Sequence, residues 1–589
     1  MVKRIEPYIE RVDDLPVLFG LLQQMGIQAI LDDIIVPHGN WEGLTHGWVI
    51  TIWLMHILSE QNHCMEPVQK WVEQHIVTLR RLSGQKVKAL DFSDDRLALC
   101  LKELSKPAVW QAVEAALGTH LIRVYRLQPK VVRLDATVGT VGHNPGQHTL
   151  FKVGKAKNGS YETQYKMMLA SLDPLGLPVA VDIEPGNMAD DPLYLPSYRR
   201  VKQIIKEKGL LIVGDSKMSA IGVRAEIAVG KDYYLTPLAW LKDEPDLLGE
   251  LLNQWQETGR QRTNIFLPQD MPTDGGEPDP KLAIAYGFEK SRVQEVVKDG
   301  QTIEWEERLL VIRSHSYTKS IQQGLHRHLT KAEAALNKLT PARSRGKRQI
   351  KDEASLLSAI EQIEKQYRVA GLFHYSYEQE VTERHIRAYQ EKPARTERQA
   401  RFQLTVSRNQ AAIAQAEFKA GWRIYETNAP AEQFSLTEAV LAYRDQYLEE
   451  NIFRRLQGKF LSITPVYVQR DDHARGLFHL LTCGSRLLAL GDYQAKQALA
   501  KEGPDAELTG IYAGNPNRGT ARPTTERMLQ AFEHINLLLL SSEMSGAGQA
   551  TCFVHPLIAG ARTHFGAIWL TNISLYIPAG RLTQGEVRL

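Results

Sequence analysis

The chain has 589 residues, 43% hydrophobic and 24% charged, with a formal net charge of +3. That is an ordinary globular composition at a length calling for several domains, and it excludes collagenous and disordered chains. The overall field is weak, so a DNA partner must be met by local basic patches.

Residues 1–125 read as helical, with apolar spacing of helical period in Leu15–Ile34, Thr45–Ser59, Val68–Leu82 and Ala108–Leu121. His56, His63 and Cys64 lie close together there and read as buried structural side chains. Between 126 and 239 the character changes. Lys130–Val138 (K-V-V-R-L-D-A-T-V), Gln164–Leu172 and Leu177–Ile183 read as three strands in meander. A helical run over Pro192–Glu207, a buried strand at Leu210–Val213, a helix to Val229 and a strand at Asp232–Leu235 complete a mixed sheet with helices packed on it.

Residues 240–418 read as an α+β insertion, with a helical hairpin over Ile321–Tyr367 around the basic run Arg343-Ser-Arg-Gly-Lys-Arg348. The sheet domain resumes over 419–500, and 501–589 read as a helical C-terminal region. No apolar run is long enough to span a bilayer, and M-V-K-R-I-E-P-Y has no apolar secretory core. Cys64, Cys100, Cys483 and Cys552 are scattered, with no C-x-x-C pair, which argues against a zinc ribbon or disulfide scaffold and fits a reducing cytoplasm.

Three carboxylates stand out. Asp135 sits in the middle of an apolar strand, where a charge is costly unless paired or bound to a metal. Its bland reading is satisfaction by Arg133, Lys166 or a backbone turn. Asp215 follows G-L-L-I-V-G at a strand end, where open sheets place ligand sites, but Asp is also a preferred helix N-cap. Glu450 lies in V-L-A-Y-R-D-Q-Y-L-E-E-N-I-F-R-R-L-Q-G-K-F. At about 100° per residue, Tyr443, Tyr447, Glu450, Arg454 and Gln457 share one polar stripe opposite Leu441, Leu448, Ile452 and Leu456. On that count Glu449 points off the polar stripe, and Glu450 is the expected site residue. Its bland reading is a solvated face with Arg454 as i+4 partner. Together the three make a cup of hard oxygen donors suited to two Mg²⁺ or Mn²⁺ ions and to in-line phosphoryl displacement.

These segments, taken in order, resemble the DDE transposases of bacterial insertion sequences. Ser93-Asp-Asp-Arg-Leu97, L-D-A-T-V at 134–138, the stretch S-L-D-P-L-G-L-P-V-A with its G-N-M-A-D turn, G-L-L-I-V-G-D-S-K-M, D-Y-Y-L-T-P-L, and Y-R-D-Q-Y-L-E-E-N-I-F-R-R-L carry the likeness. The branch has a β-rich insertion and a Tyr-Arg-Glu-Lys signature on the last catalytic helix. Tyr443 and Glu450 fit that signature; Gln446 and Gln457 stand at its Arg and Lys positions.

The resemblance implies an α/β, RNase H-like mixed sheet flanked by helices, with Asp135, Asp215 and Glu450 as catalytic and metal-binding triad. It implies cleavage at element ends followed by strand transfer into target DNA. The expected partners are double-stranded DNA, as terminal inverted repeats and target, and a second copy on paired ends; no membrane is expected. Expected DNA contacts are Tyr443, Arg444, Tyr447, Arg454, Arg455 and Lys459 near the helix carboxylate, and Arg343, Arg345, Lys347 and Arg348 in the insertion. The N-terminal helices are expected to read the ends. Two other readings stay open: a nuclease on the same core that joins no strands, and a catalytically dead, sequence-specific DNA-binding descendant.

Overall fold

The computed structural model describes residues 7–156, 159–239, 246–272, 275–298, 300–341, 350, 352–387, 393, 395–541 and 550–554. The chain divides into two compact units. One takes residues up to 239, the segment 293–306 and the chain from 442 onward; the other takes 240–292 and 307–441.

The first unit opens with strand β1 (Pro7–Arg11) and helices α1 (Leu15–Met25) and α2 (Ile27–Ile34). The expected single helix over 15–34 is broken at Gly26, whose φ of 64° is left-handed and closes α1. Helix α3 (His46–Glu60) is buried around almost its whole circumference. Helices α4 (Val68–Gln74), α5 (Ile76–Ser83), α6 (Asp94–Leu104) and α7 (Pro107–Val124) follow. His56 and His63 are buried, as expected. Burial, then neighbouring His75, pushes the His56 imidazole down to about 4, so it packs as a neutral ring.

The sheet is built from β2 (Val131–Thr140), β3 (Lys152–Lys155), β4 (Tyr161–Leu172), β5 (Leu177–Pro185), β6 (Leu211–Gly214) and β7 (Tyr233–Pro237), with α8 (Tyr194–Ile204) and α9 (Ile221–Val229) as crossovers. Strand β2 is central: it runs antiparallel to β4 and parallel to β6, and β6 runs parallel to β7. Both β3 and β5 pair antiparallel with β4, at opposite ends of its length. This is the helix-flanked mixed sheet expected from the alternation of strands and helices.

The second unit contains α10 (Leu247–Glu257), β8 (Thr263–Ile265), β9 (Ala285–Lys298), β10 (Gln301–Ser314), α11 (His315–Leu336), α12 (Glu353–Tyr367), β11 (Phe373–Ile386), β12 (Arg395–Arg408), α13 (Gln410–Lys419), β13 (Trp422–Thr427) and most of α14 (Leu436–Arg444). The tip of the β9–β10 hairpin, 293–306, belongs to the first unit. Trp255, Phe288, Tyr286 and Trp422 pack edge and face against one another beneath β9, which makes Trp422 a core residue. Helices α11 and α12 form the expected helical pair and close a separate core with the β11–β12 ribbon.

The chain returns through α15 (Tyr447–Gln457) and α16 (Asp471–Glu502), then the short α17 (Thr525–Gln530), β14 (Asn536–Ser541) and β15 (Ala550–Val554). Among its described residues the C-terminal region, expected to be helical, also holds strands β14 and β15; 542–549 and 555–589 lie outside the described residues. Asn536–Leu540 pairs with β1, at the other end of the chain, and long-range pairing overrides the helix propensity of its leucines. Side chains of α1, α3, α7, the sheet, α15 and α16 form one continuous apolar core. The N-terminal helices share this core with the sheet. Among the described residues no single helix is long and apolar enough to cross a membrane.

Candidate active site

Parallel pairing of β2 with β6 governs where the first two aspartates lie. The register matches Val131 with Leu211 and continues to Leu134 with Gly214. Asp135 follows one residue later within β2, and Asp215 one residue beyond the end of β6. Neighbouring strands lie about 4.8 Å apart, which brings the two residues near one another. All four residues of β6 are buried, which fixes this register by apolar packing.

Asp215 is held by its surroundings. Its Oδ1 accepts from the Tyr194 hydroxyl at 2.6 Å and from the backbone N–H of Lys217 at 2.9 Å. Thr236 donates to its backbone carbonyl at 2.6 Å. Tyr194 is fully buried at the start of α8. Burial first, then Asp215, Asp135 and Glu449, push its phenol far above the ordinary range, so it remains a hydrogen-bond donor. Asp135 Oδ1 accepts from the N–H of Ala136 at 2.8 Å.

The buried carboxylate of α15 is Glu449. It is 3% exposed, and its Oε1 has no hydrogen-bond partner. Burial, and then repulsion from Asp135, Asp173 and Asp215, lift it well above the usual carboxylate range; Arg133 acts in the opposite sense. Glu450, the residue expected from the polar stripe, is exposed.

The reason lies in the helix phase. α14 ends at Arg444 and α15 begins at Tyr447. Across the junction the N–H groups of Gln446, Leu448 and Glu449 bond to the carbonyls of Tyr443, Asp445 and Gln446, three residues back. Such tight turns advance about 120° per residue and shift α14 against α15, while within α15 an ideal wheel already sets Glu449 about 20° from Leu456, at the edge of the apolar side. Within α15, Glu449 shares the buried face with Ile452, Phe453 and Leu456.

Arg133, two residues before Asp135 and on the same strand face, joins these parts. It is 2% exposed. Its Nε lies 2.9 Å and its Nη2 2.6 Å from Asp173 Oδ2, a fork-type ion pair. The same Nη2 donates to the carbonyl of Ala442 at 2.6 Å. The β4–β5 turn that carries Asp173 also touches α15. A Cβ at Gly176 (φ 62°) would lie 3.3 Å from the Leu448 carbonyl oxygen and 3.4 Å from Ile452 Cγ1. Glycine therefore meets both the backbone angle and the close approach.

The donors gathered here are hard oxygens, which suits Mg²⁺ or Mn²⁺. A carboxylate with an orphaned oxygen, raised first by burial and then by its acidic neighbours, is what a cation between them would relieve. Among the described residues, no three His, Cys, Asp or Glu side chains stand close enough to grip an ion unaided. Water and phosphate oxygens would have to complete any coordination shell, as Mg²⁺ commonly requires.

The expected DNA contacts divide. Arg444, Arg454, Lys459 and Tyr447 are exposed, and Tyr443 is half-buried. Arg455 is not available to DNA: it is bound to Asp492 at 2.5 Å and Glu526 at 2.8 Å, tying α15 to α16 and α17. Arg343, Arg345, Lys347 and Arg348 lie outside the described residues. Sequence reasoning did not single out Tyr194 or Asp173, named Arg133 only as a partner for Asp135, and weighed Glu449 against Glu450 without choosing it. Glu449 did leave a signal, as a lone carboxylate on an otherwise apolar helix face.

A mixed sheet with one carboxylate in its central strand and another just past the end of the adjacent strand offers hard oxygen donors of the kind that phosphoryl transfer uses. A family model described as a transposase DDE domain matches residues 126–487, more than half of the chain, and a domain of unknown function, DUF4277, matches 8–113. The chain belongs to the DDE transposase family, whose members catalyse DNA cleavage and strand transfer and normally use divalent metal. Among solved structures, the chain has a distant likeness to a piggyBac transposase synaptic complex with hairpin DNA. The identity is 9%, the match covers 85% of this chain and 79% of that one, and the TM-score is 0.33. No curated protein sequence matches it.

Proposed function

We propose that this transposase carries out both chemical steps at Asp135, Asp215 and Glu449, with two Mg²⁺ or Mn²⁺ ions. The observation that supports this most is the burial of Glu449, its Oε1 unpartnered, within the field of both aspartates. Divalent ions bound there would polarise the scissile phosphate and offset the charge that develops on the attacking and leaving oxygens. Asp135 supplies a carboxylate from the central strand and Asp215 one from just past the end of its neighbour, and Tyr194 fixes one Asp215 oxygen. Glu449 brings the third carboxylate from α15.

In the first step water attacks a phosphodiester at an element end; the P–O bond breaks, leaving a 3′-OH and a 5′-phosphate. In the second that 3′-OH attacks a phosphodiester of target DNA, and a new 3′-OH leaves. Positioning and charge neutralisation carry most of such catalysis. Terminal inverted repeats and target DNA are the substrates. Joining two ends calls for at least two copies, each holding one. Arg444, Arg454 and Lys459 are the phosphate contacts in this reading, and Tyr447, 51% exposed, offers a ring on which an unpaired base can stack.

The test is excision and strand transfer from DNA carrying the gene's own flanks, with Asp135→Ala, Asp215→Ala, Glu449→Gln and Glu450→Gln. The first three are expected to lose at least about 10³-fold in rate while DNA binding persists. Glu450→Gln is expected to stay within about tenfold of the parent. An inactive Glu450→Gln beside an active Glu449→Gln would transfer the third role to Glu450. Cleavage without joining would favour the nuclease reading.

A further inference from the structure

We infer that Arg133 is a positioning residue, a latch that fixes where the chain re-enters the catalytic unit and so sets Glu449 against the aspartates. The inference rests on the reading of Glu449 as the third site carboxylate.

A long stretch separates Asp215 from Glu449 in sequence, and 240–292 and 307–441 belong to the other compact unit. The catalytic unit resumes at Ala442. Arg133 Nη2 donates to the carbonyl of that same residue at 2.6 Å. Beyond this point the chain makes its short turns through Asp445 and Gln446 and enters α15. The anchor itself is rigid. Arg133 lies on the central strand, two residues from Asp135, and its fork to Asp173 fixes the orientation of the guanidinium. Asp173 in turn is fixed by its backbone N–H, which donates to the Val131 carbonyl at 3.0 Å. Burying a guanidinium is costly unless its donors are used. Here Nε and Nη2 are spent on one carboxylate and one backbone carbonyl, while Nη1 is buried without a hydrogen-bond partner. A lysine would keep the charge but could not hold both partners in a planar fork.

The latch predicts a local signature. In Arg133→Met, backbone amides of 443–450 in the metal-free full-length protein should exchange with solvent at least about tenfold faster, while amides of α3 and α16 stay unchanged. Mn²⁺ binding by calorimetry should weaken by about tenfold, and the Mn²⁺ concentration giving half-maximal cleavage should rise by more than the maximal rate falls. Arg133→Lys should recover only part of each. If Arg133→Met alone does not fold, the paired change Arg133→Met with Asp173→Asn removes both buried partners, and the same exchange pattern is expected. Unchanged exchange at 443–450 with unchanged Mn²⁺ affinity, in whichever variant folds, overturns the latch. The exchange result stands apart from the identity of the third carboxylate: an active Glu449→Gln would overturn the site reading even if residues 443–450 loosen.

Discussion

Glu449 is buried, its Oε1 unpartnered, in the field of Asp135, Asp173 and Asp215. Asp471 is the contrasting case. Burial alone would raise its carboxyl. Donors from the Thr149 hydroxyl and N–H, each at 2.6 Å, from Leu150 N–H at 3.1 Å, and the His148 ring at 2.7 Å instead bring it down to about 2. This residue staples the loop after β2 to the first turn of α16. Its folded value lies below the ordinary value of 3.8, so its stabilisation is complete above about pH 4 and is lost as pH falls through about 2. Asp471→Asn should therefore lower the melting temperature at neutral pH and flatten its fall between pH 4 and 2; an unaltered acid profile would contradict the staple. At this scale Asp135 and Asp215 could be read from the chain, because each ends or interrupts an apolar strand. That Glu449 is the buried one of the two glutamates could be read only in part, from its i, i+3, i+7 spacing to Ile452 and Leu456.

At the scale of elements, α15 carries two adjacent arginines with different fates. Arg454 is exposed and donates to its neighbour Asn451, whereas Arg455 is 17% exposed in its side chain and locked between Asp492 and Glu526. Removing one partner of such a network strands the others. Arg455→Met is expected to cost about 3 kcal/mol in stability with no change in the salt dependence of DNA binding. Arg454→Ala is expected to be neutral in stability and to reduce the slope of log affinity against log salt by about one. Denaturant melts and binding at several salt concentrations check both; a reversed pattern would place Arg455 on the DNA. Strands of the sheet and both helices of the insertion were legible because their apolar patterns are strong. Pairing of β1 with β14 was not, since nothing local in Pro7–Arg11 announces a partner over 500 residues away.

For the whole molecule, the shared core is the main departure from a reading by segments. Glu114 on α7 is fully buried and bonds Arg486 on α16 at 2.7 Å, and it also pairs with Arg200 on α8. Trp110 stacks on His479 with ring centroids 4.2 Å apart. These contacts fasten the N-terminal helices to the sheet and to α16 through groups that cannot be left unpaired inside a protein. Residues 1–125 expressed alone should consequently show no cooperative thermal transition; a sharp melt would establish an independent domain. The boundary near 240 could be read from the chain, whereas return at 442 and the inclusion of 293–306 in the catalytic unit depend on tertiary contacts. One measurement bears most directly on the central claim: anomalous scattering from a crystal of the full chain grown with Mn²⁺. The account predicts a peak within about 2.2 Å of carboxylate oxygens from Asp135, Asp215 and Glu449. A peak bound through Glu450, or one that bypasses the aspartate pair, would contradict it.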